Sequence, residues 1–368
     1  MQAVKRASLN IVRWFDSWAG TDNDTIVRDL KAASAQKVTE GATTKVKEGA
    51  AALKDSATAA KETAVAALAA AKETAAHATA NAREAIDWAR VIPFMAMHLS
   101  VFLVFFVGFS WVALGAAFAF YFLRMFAITA GYHRYFAHRA YRTSRVGQFC
   151  IAVLGASAAQ RGPLWWAAHH RHHHEFSDEP EDLHSPTQRG LFWSHIGWVL
   201  DRTNFRSQIE RIKDFARYPE LRFLDRFDLL IPVLFGVCVF FLGVGLERWA
   251  PGLGTNGWQM LVWGFLISTI ALYHGTFTVN SFAHLFGRRR FATKDTSRNS
   301  MIIALITLGE GWHNNHHHYP ASARQGFYWW EIDVSFYILK LLSVFGLVWD
   351  IRPVPERALH AKRIPPAA

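Results

Sequence analysis

Cysteine is almost absent from this chain: its 368 residues hold two, Cys150 and Cys238. They lie far apart in apolar stretches and form no CxxC pair, which excludes a rubredoxin, ferredoxin or zinc-ribbon module within the chain. Both read as small packed hydrophobes rather than a disulfide. The first ten residues, Met1 to Asn10, lack the apolar core and small-residue cleavage site of a secretory signal. Acidic residues are outnumbered, 29 against 40 Lys and Arg, for a net charge of +11. That excess does not point to nucleic acid, because the cations sit in loops between apolar segments, where membrane proteins place them. A literal GxGxxG, Gly252 to Gly257, follows an apolar run instead of a strand and leads into another run, so it reads as a turn.

What is present divides unevenly. Hydrophobic residues make up 51% and mean hydropathy is +0.07, but this average covers two unlike parts. Residues 1–88 form a polar, Ala/Lys/Glu-rich extension; residues 89–355 carry the long apolar runs and nearly all the 18 histidines; 356–368 is a tail. Within the extension, residues 11–19 are amphipathic, with Trp14, Phe15 and Trp18, and either rest on a membrane surface or pack on a neighbouring element. Ala60-Lys-Glu-Thr-Ala64 recurs as Ala71-Lys-Glu-Thr-Ala75 and loosely as Ala82-Arg-Glu-Ala85. An eleven-residue period returns to the same helix face after three turns, and the segment resembles the amphipathic helices of late-embryogenesis-abundant proteins.

The apolar run over 94–130 is too long for one span of a ~30 Å hydrocarbon core. Broken near Gly108-Phe109-Ser110, it reads as two short spans. A second pair runs from Leu229 to Leu246 and from Trp258 to about Val279. The runs Gln148 to Gln160 and Phe336 to Val348 read as interfacial or re-entrant helices. Four spans put 131–227 and everything after 280 on one side. The first of these regions holds 14 Lys or Arg, whereas the opposite loops offer essentially Arg248. The basic side is therefore expected to be cytoplasmic.

Every histidine cluster falls on that side. His133 and His138 follow the second span; His170, His173 and His174 form an HxxHH; His313, His316 and His317 form another; His284 stands alone. Positions i, i+3 and i+4 share a helix face, so three imidazoles are expected to converge on one point. Imidazole suits Zn, Cu, Fe and Ni. Nine converging imidazoles exceed what one metal uses, so two metals are implied. No cluster contains the interleaved Glu of an HExxH protease.

At these residues the chain resembles the membrane fatty-acid desaturases, most closely the acyl-CoA (stearoyl-CoA type) Δ9 branch. The matching stretches are Thr129 to Arg139, His170 to Ser177, Ser194 to Trp198, Asn280 to Gly287, and Gly309 to His317. The resemblance implies an all-α integral membrane fold, with four spans and a cytoplasmic helical cap holding a di-iron site. It implies nine iron ligands, His133, His138, His170, His173, His174, His284, His313, His316 and His317, with Asn280 reaching a metal through water. Gln160 and Trp166 match positions at the bend of the acyl tunnel. His169, His172 and His318 depart from the animal pattern and read as supporting or surface residues. Arg161-Gly-Pro-Leu replaces polar residues near the CoA end, so a lipid-bound acyl chain competes with acyl-CoA as substrate.

The implied activity is O2-dependent introduction of a cis double bond into a saturated acyl chain. Methylene C–H bonds are not acidic, so no side-chain base can start this reaction; the hard chemistry belongs to two Fe ions and O2. Since the sequence shows no flavin or cytochrome b5 module, electrons are expected from a separate ferredoxin or cytochrome b5 donor. Asp178, Glu179, Glu181 and Asp182 either orient imidazoles or form a solvated loop. A lipid hydroxylase on the same scaffold is the second reading. A membrane metal transporter is the third; it needs polar residues within the spans, where only His98 and His274 stand. The expected location is a bacterial cytoplasmic membrane, with membrane lipid as surroundings and no nucleic-acid partner.

Overall fold

The computed structural model describes residues 12–40 and 88–365, with the backbone alone for 34–40, 89 and 90. The eleven-residue repeats lie outside the described residues. The architecture is helical; the one sheet among the described residues is a two-residue antiparallel pair, β1 (Arg142–Thr143) and β2 (Val348–Trp349).

Helix α1 (Asn23–Glu40) is polar. Helix α2 (Trp88–Leu99) continues through a tight turn, Ser100–Leu103, to Val107. The chain then reverses at Gly108, whose φ of 71° suits a residue without Cβ. Helix α3 (Trp111–Phe126) starts at Ser110, whose hydroxyl caps the Ala113 amide. The expected break at 108–110 is therefore present. Helices α4 (Arg145–Ala156) and α5 (Pro163–Phe176) follow. Next come α6 (Leu230–Trp249) and α7 (Ser268–Asn280). The literal GxGxxG is the turn between these two, as expected. Helices α8 (His313–His318) and α9 (Val334–Val344) complete the frame.

Among the described residues three helical stretches are long and apolar enough to cross a membrane: Trp111–Ala137, Leu230–Trp249 and Gly257–Leu285. The fourth expected span is the shorter run Val91–Val107, and the runs read as interfacial are the short helices Arg145–Ala156 and Val334–Val344. The first and third long stretches have 27 and 29 residues. At 1.5 Å per residue each is about 40 Å long, some 10 Å more than a hydrocarbon core. The excess at their C-terminal ends carries His133 and His284.

Two sequence expectations need correction. Cys150 and Cys238 are free and exposed, on the outer faces of α4 and α6, rather than packed inside. Those faces also display Phe149, Val233, Leu234 and Val237, as expected of surfaces that meet lipid. Polar groups within the long helices also include Arg124, which the reading missed. It is fully buried, donating to Thr269 Oγ1 at 2.7 Å and to the Ser157 carbonyl at 3.2 Å, with its guanidinium 5.0 Å from the Phe235 ring centre. It ties α3 to α7.

Candidate metal centre

The helix begun by α3 changes its winding before it ends. Over Ala127–Ala137 it widens into π-type turns, with the His138 amide bonding the His133 carbonyl at 3.1 Å. In an α-helix residues five apart would point about 140° apart. The wider turn brings the His133 and His138 rings to 4.8 Å. Wide turns of this kind recur at functional sites.

The nine histidines form two groups. His133, His138, His170, His174 and His316 have ring nitrogens within 4.8 Å of one another, as do His173, His284, His313 and His317. This corrects the expectation that each HxxHH converges on one point. At about 100° per residue, i and i+4 lie about 40° apart, whereas i+3 falls on the other side of i by about 60°. Accordingly His170 and His174 of α5 join the first group and His173 the second. On α8 the pattern is exchanged: His313 and His317 join the second group and His316 the first.

The Nε2 atoms face inward. They lie 3.0 Å apart in His133–His316, 2.9 Å in His138–His170, 2.8 Å in His174–His316 and 3.1 Å in His284–His313. One hydrogen on His316 Nε2 cannot serve both of its neighbours. The buried Nε2 atoms of His173 and His317 have no partner. Buried polar atoms left this way call for a missing partner, and a cation shared by each group would supply it. Burial, then neighbouring imidazoles, hold His138, His170, His174, His313 and His316 well below the usual histidine range. Their rings are therefore neutral, the form that binds metal. The donor set is all nitrogen, which suits iron, zinc, copper or nickel and disfavours calcium and magnesium.

Four carboxylates hold the rings from behind through Nδ1. Glu310 lies 2.5 Å from His133, Asp182 3.0 Å from His173, Asp178 3.2 Å from His284 and Asp295 2.8 Å from His317. A carboxylate on Nδ1 fixes the tautomer that presents Nε2 as a ligand. Burial raises the carboxyl pKa of Asp178, but bonds from His284, Ser185 and Thr296 carry it below the usual range. Asp295 behaves likewise: burial is opposed and outweighed by His317 and Ser297. Of the acidic loop after the second box, Asp178 and Asp182 thus hold imidazoles, while Glu179 pairs with Lys294 at 3.0 Å and only the backbone carbonyl of Glu181 meets His172. Glu310 and Asp295 were missed by sequence reasoning. Arg134 in turn holds Glu310 at 3.0 Å and Asp333 at 2.9 Å. His184, also missed, sits with His173 and Asp182 in a third small group. His169, His172 and His318 stand outside both main groups; their rings contact the carbonyls of Trp165, Glu181 and Ala358.

A cavity of about 290 Å³ leads to the first group, and its walls include Gln160, Trp166, His170, Thr276 and Asn280. A smaller cavity of about 30 Å³ continues past His133 and His313 between Met125, Ile128 and Val279, sharing Trp166, His170, Thr276 and Asn280 with the larger. Gln160 Nε2 donates to Thr276 Oγ1 at 2.9 Å, and Trp166 stacks on His170 at 5.2 Å.

Two groups of imidazoles, each able to hold a metal ion, sit beside a largely apolar cavity in a helical protein with membrane-length helices. Residues 109–343 match the model of the fatty acid desaturase family. An sn-1 stearoyl-lipid 9-desaturase from Synechocystis sp. is 37% identical over 278 residues, covering 75% of this chain and 83% of that protein. A protein of the same name from Anabaena variabilis is 34% identical over 273 residues, 73% and 95% of the two chains. An acyl-CoA 5-desaturase from Anemone leveillei is 34% identical over 260 residues, 70% and 76%. The chain belongs to the fatty acid desaturase family, and so among the oxidoreductases of lipid metabolism.

Proposed function

We propose that this protein introduces a cis double bond, at Δ9, into a saturated acyl chain esterified to a membrane lipid. The supporting observation is the cavity, which passes both the dinuclear centre and the apolar flanks of α2 and α6. The nine histidines are the proposed iron ligands, with Asn280 close enough to the shared cavity to hold a water. When bound, the iron pair supplies the oxidation of an unactivated methylene pair by O2. The balance is CH2–CH2 + O2 + 2 electrons + 2 H⁺ giving CH=CH + 2 H2O, the electrons coming from a separate ferredoxin or cytochrome b5 donor.

The chain's own residues orient and exclude. Trp166 and Thr276 line both cavities and Gln160 bonds Thr276; in this reading their junction is the neck that selects which methylene pair faces His170. Fixing that pair is the entropic part of catalysis. Beside the reacting carbons, Met125, Ile128 and Val279 of the smaller cavity help keep water from the oxidised carbon. In this reading Val91–Val107 serves as a fourth, short span, and the centre belongs on the basic side, the cytoplasmic face of a bacterial inner membrane.

The sequence favoured acyl-CoA; three observations support a lipid instead. The two cyanobacterial relatives above are named for stearoyl-lipid. Arg161 in the cavity wall is already paired with Asp228 at 2.7 Å, which leaves little charge for the several phosphates of CoA. Phe94, Met97 and Val233 bring the cavity to the helices that meet lipid, where a second acyl tail can stay in the bilayer.

The test is expression in a host that makes no unsaturated acids by this route, with lipid classes separated and double bonds mapped by mass spectrometry. A new monounsaturated acid that requires O2 and His170, and appears first in intact lipids, supports the proposal. Its first appearance in the acyl-CoA pool overturns the head-group assignment. Hydroxylated acids in its place overturn desaturation.

A further inference from the structure

The wall of the large cavity is not made only by the part of the chain that matches the family. It includes Arg13 and Trp14, nearly a hundred residues before the family match begins at residue 109. These two residues are held in place by an anchored segment. Trp18 is buried, and its indole N–H donates to Asp225 Oδ2 at 2.9 Å. Ser17 donates from Oγ to the Asp225 carbonyl at 2.7 Å and from its backbone N–H to the Arg226 carbonyl at 2.8 Å. Arg226 pairs with Asp16 at 2.6 Å, and Arg206 pairs with Asp22 at 2.7 Å. Asp225 also accepts from the Trp165 amide in the first turn of α5, at 2.7 Å. The anchor of the segment is therefore the residue that caps the helix bearing His170, His173 and His174. An isolated exposed ion pair would contribute little. A buried indole and several bonds to a single buried carboxylate fix a conformation.

Within this segment Arg13 commits Nε to the Ala19 carbonyl at 2.8 Å. Among the described residues its two Nη groups make no hydrogen bond. With Arg161 neutralised by Asp228, Arg13 is the remaining cation of the cavity wall. Beside it, the Trp14 indole also lines the cavity. A guanidinium next to an indole in the wall of a largely apolar cavity suits an anionic oxygen carried next to an acyl chain.

From this geometry we infer that Arg13 is a specificity-determining residue that binds the phosphate of the substrate's carrier group, and that the substrate is a glycerophospholipid. The inference rests on the acyl-lipid reading above. Segment 13–24 then acts as a head-group wall, attached to the dinuclear site through Asp225.

The test compares wild-type protein with Arg13→Gln and Arg13→Lys, purified full-length with metal bound and supplied with an electron donor. The substrates, in mixed micelles, are distearoyl phosphatidylglycerol, a distearoyl galactolipid with no charge, and stearoyl-CoA. Arg13→Gln is expected to raise KM for phosphatidylglycerol roughly tenfold, the size of one charge-assisted contact, with kcat and the galactolipid KM unchanged. Arg13→Lys is expected to recover part of the loss. A folding defect would depress all substrates together and is separately visible as a lower Tm. Equal KM ratios across the head groups in all three proteins would overturn the inference while leaving the desaturase reading intact. A selective loss on stearoyl-CoA alone would assign the phosphate to CoA and overturn the phospholipid. Absence of product from every substrate with wild-type protein would instead count against the proposed function.

Discussion

Replacing Glu310 by Gln removes one charge from the deepest part of the site while keeping its shape. Glu310 touches His133 Nδ1 at 2.5 Å, Arg134 at 3.0 Å and the Gln325 amide at 2.8 Å, and is 5% exposed. Stranding a buried charge costs about 3–5 kcal/mol. Here Arg134 keeps Asp333 at 2.9 Å, so the expected loss of fold stability is about 1–3 kcal/mol, the range for an unmatched buried polar group. The larger effect falls on the metal. Losing the carboxylate behind a ligating imidazole weakens binding by about 10–100-fold, or about 1.4–2.8 kcal/mol. Only His133 of the five-imidazole group leans on Glu310, so that group should empty first. The assay is metal per protein by elemental analysis across a chelator titration. Glu310→Gln should fall to one metal at a chelator concentration where wild-type holds two. Asp295→Asn should lose metal from the group containing His317 instead. Two metals held at the wild-type chelator midpoint in Glu310→Gln would refute the role given to Glu310.

Further outcomes follow from other contacts. Gly309 has φ of 130°, and a Cβ there would lie 2.4 Å from Asp333 Oδ1 and 2.9 Å from Arg134 Nη2; Gly309→Ala should cost about 2–4 kcal/mol, read as a lower Tm in detergent. Thr276→Val removes the acceptor of the Gln160 amide, so the double bond should spread to neighbouring positions while turnover persists; mass spectrometry of the products checks this, and one unchanged position would count against the neck. Cys150→Ser and Cys238→Ser together should leave product yield within about twofold, because neither thiol is near the centre and isolated surface changes are usually small.

The sequence made the imidazoles legible because their spacing within each box is local. The i, i+3, i+4 pattern names the face of α5 and α8 whatever lies opposite. It did not show that each face divides between two groups, because that depends on how α5 and α8 oppose one another. Asp178 and Asp182 were visible beside the second box. Glu310 and Asp295 were not, since Glu310 meets His133 across 177 residues of sequence, a pairing that only the tertiary fold creates. The reversal at Gly108 was readable from its composition. The burial of Arg124 was not, because its partners Ser157, Ser268 and Thr269 come from other elements. Residues 11–19 left two readings open. Burial of Trp18 against Asp225 favours packing over a free surface helix, although Phe15 stays exposed.

The exchange of imidazoles between α5 and α8 also has a mechanical consequence. Each helix lends one ring to the group dominated by the other, so a metal in either group joins both helices. His174 and His316 are 142 residues apart in sequence, and a metal between them closes that whole length into a loop. In a chain whose two cysteines are free, such a metal is the nearest equivalent of a disulfide staple. Closing a loop of this length restricts the unfolded chain by about 4–5 kcal/mol in the chain-entropy picture. A second metal across the same two helices adds little entropy but prevents them from swivelling about the first. Removing the metals should therefore do more than silence the reaction: it would unfasten the cap from itself.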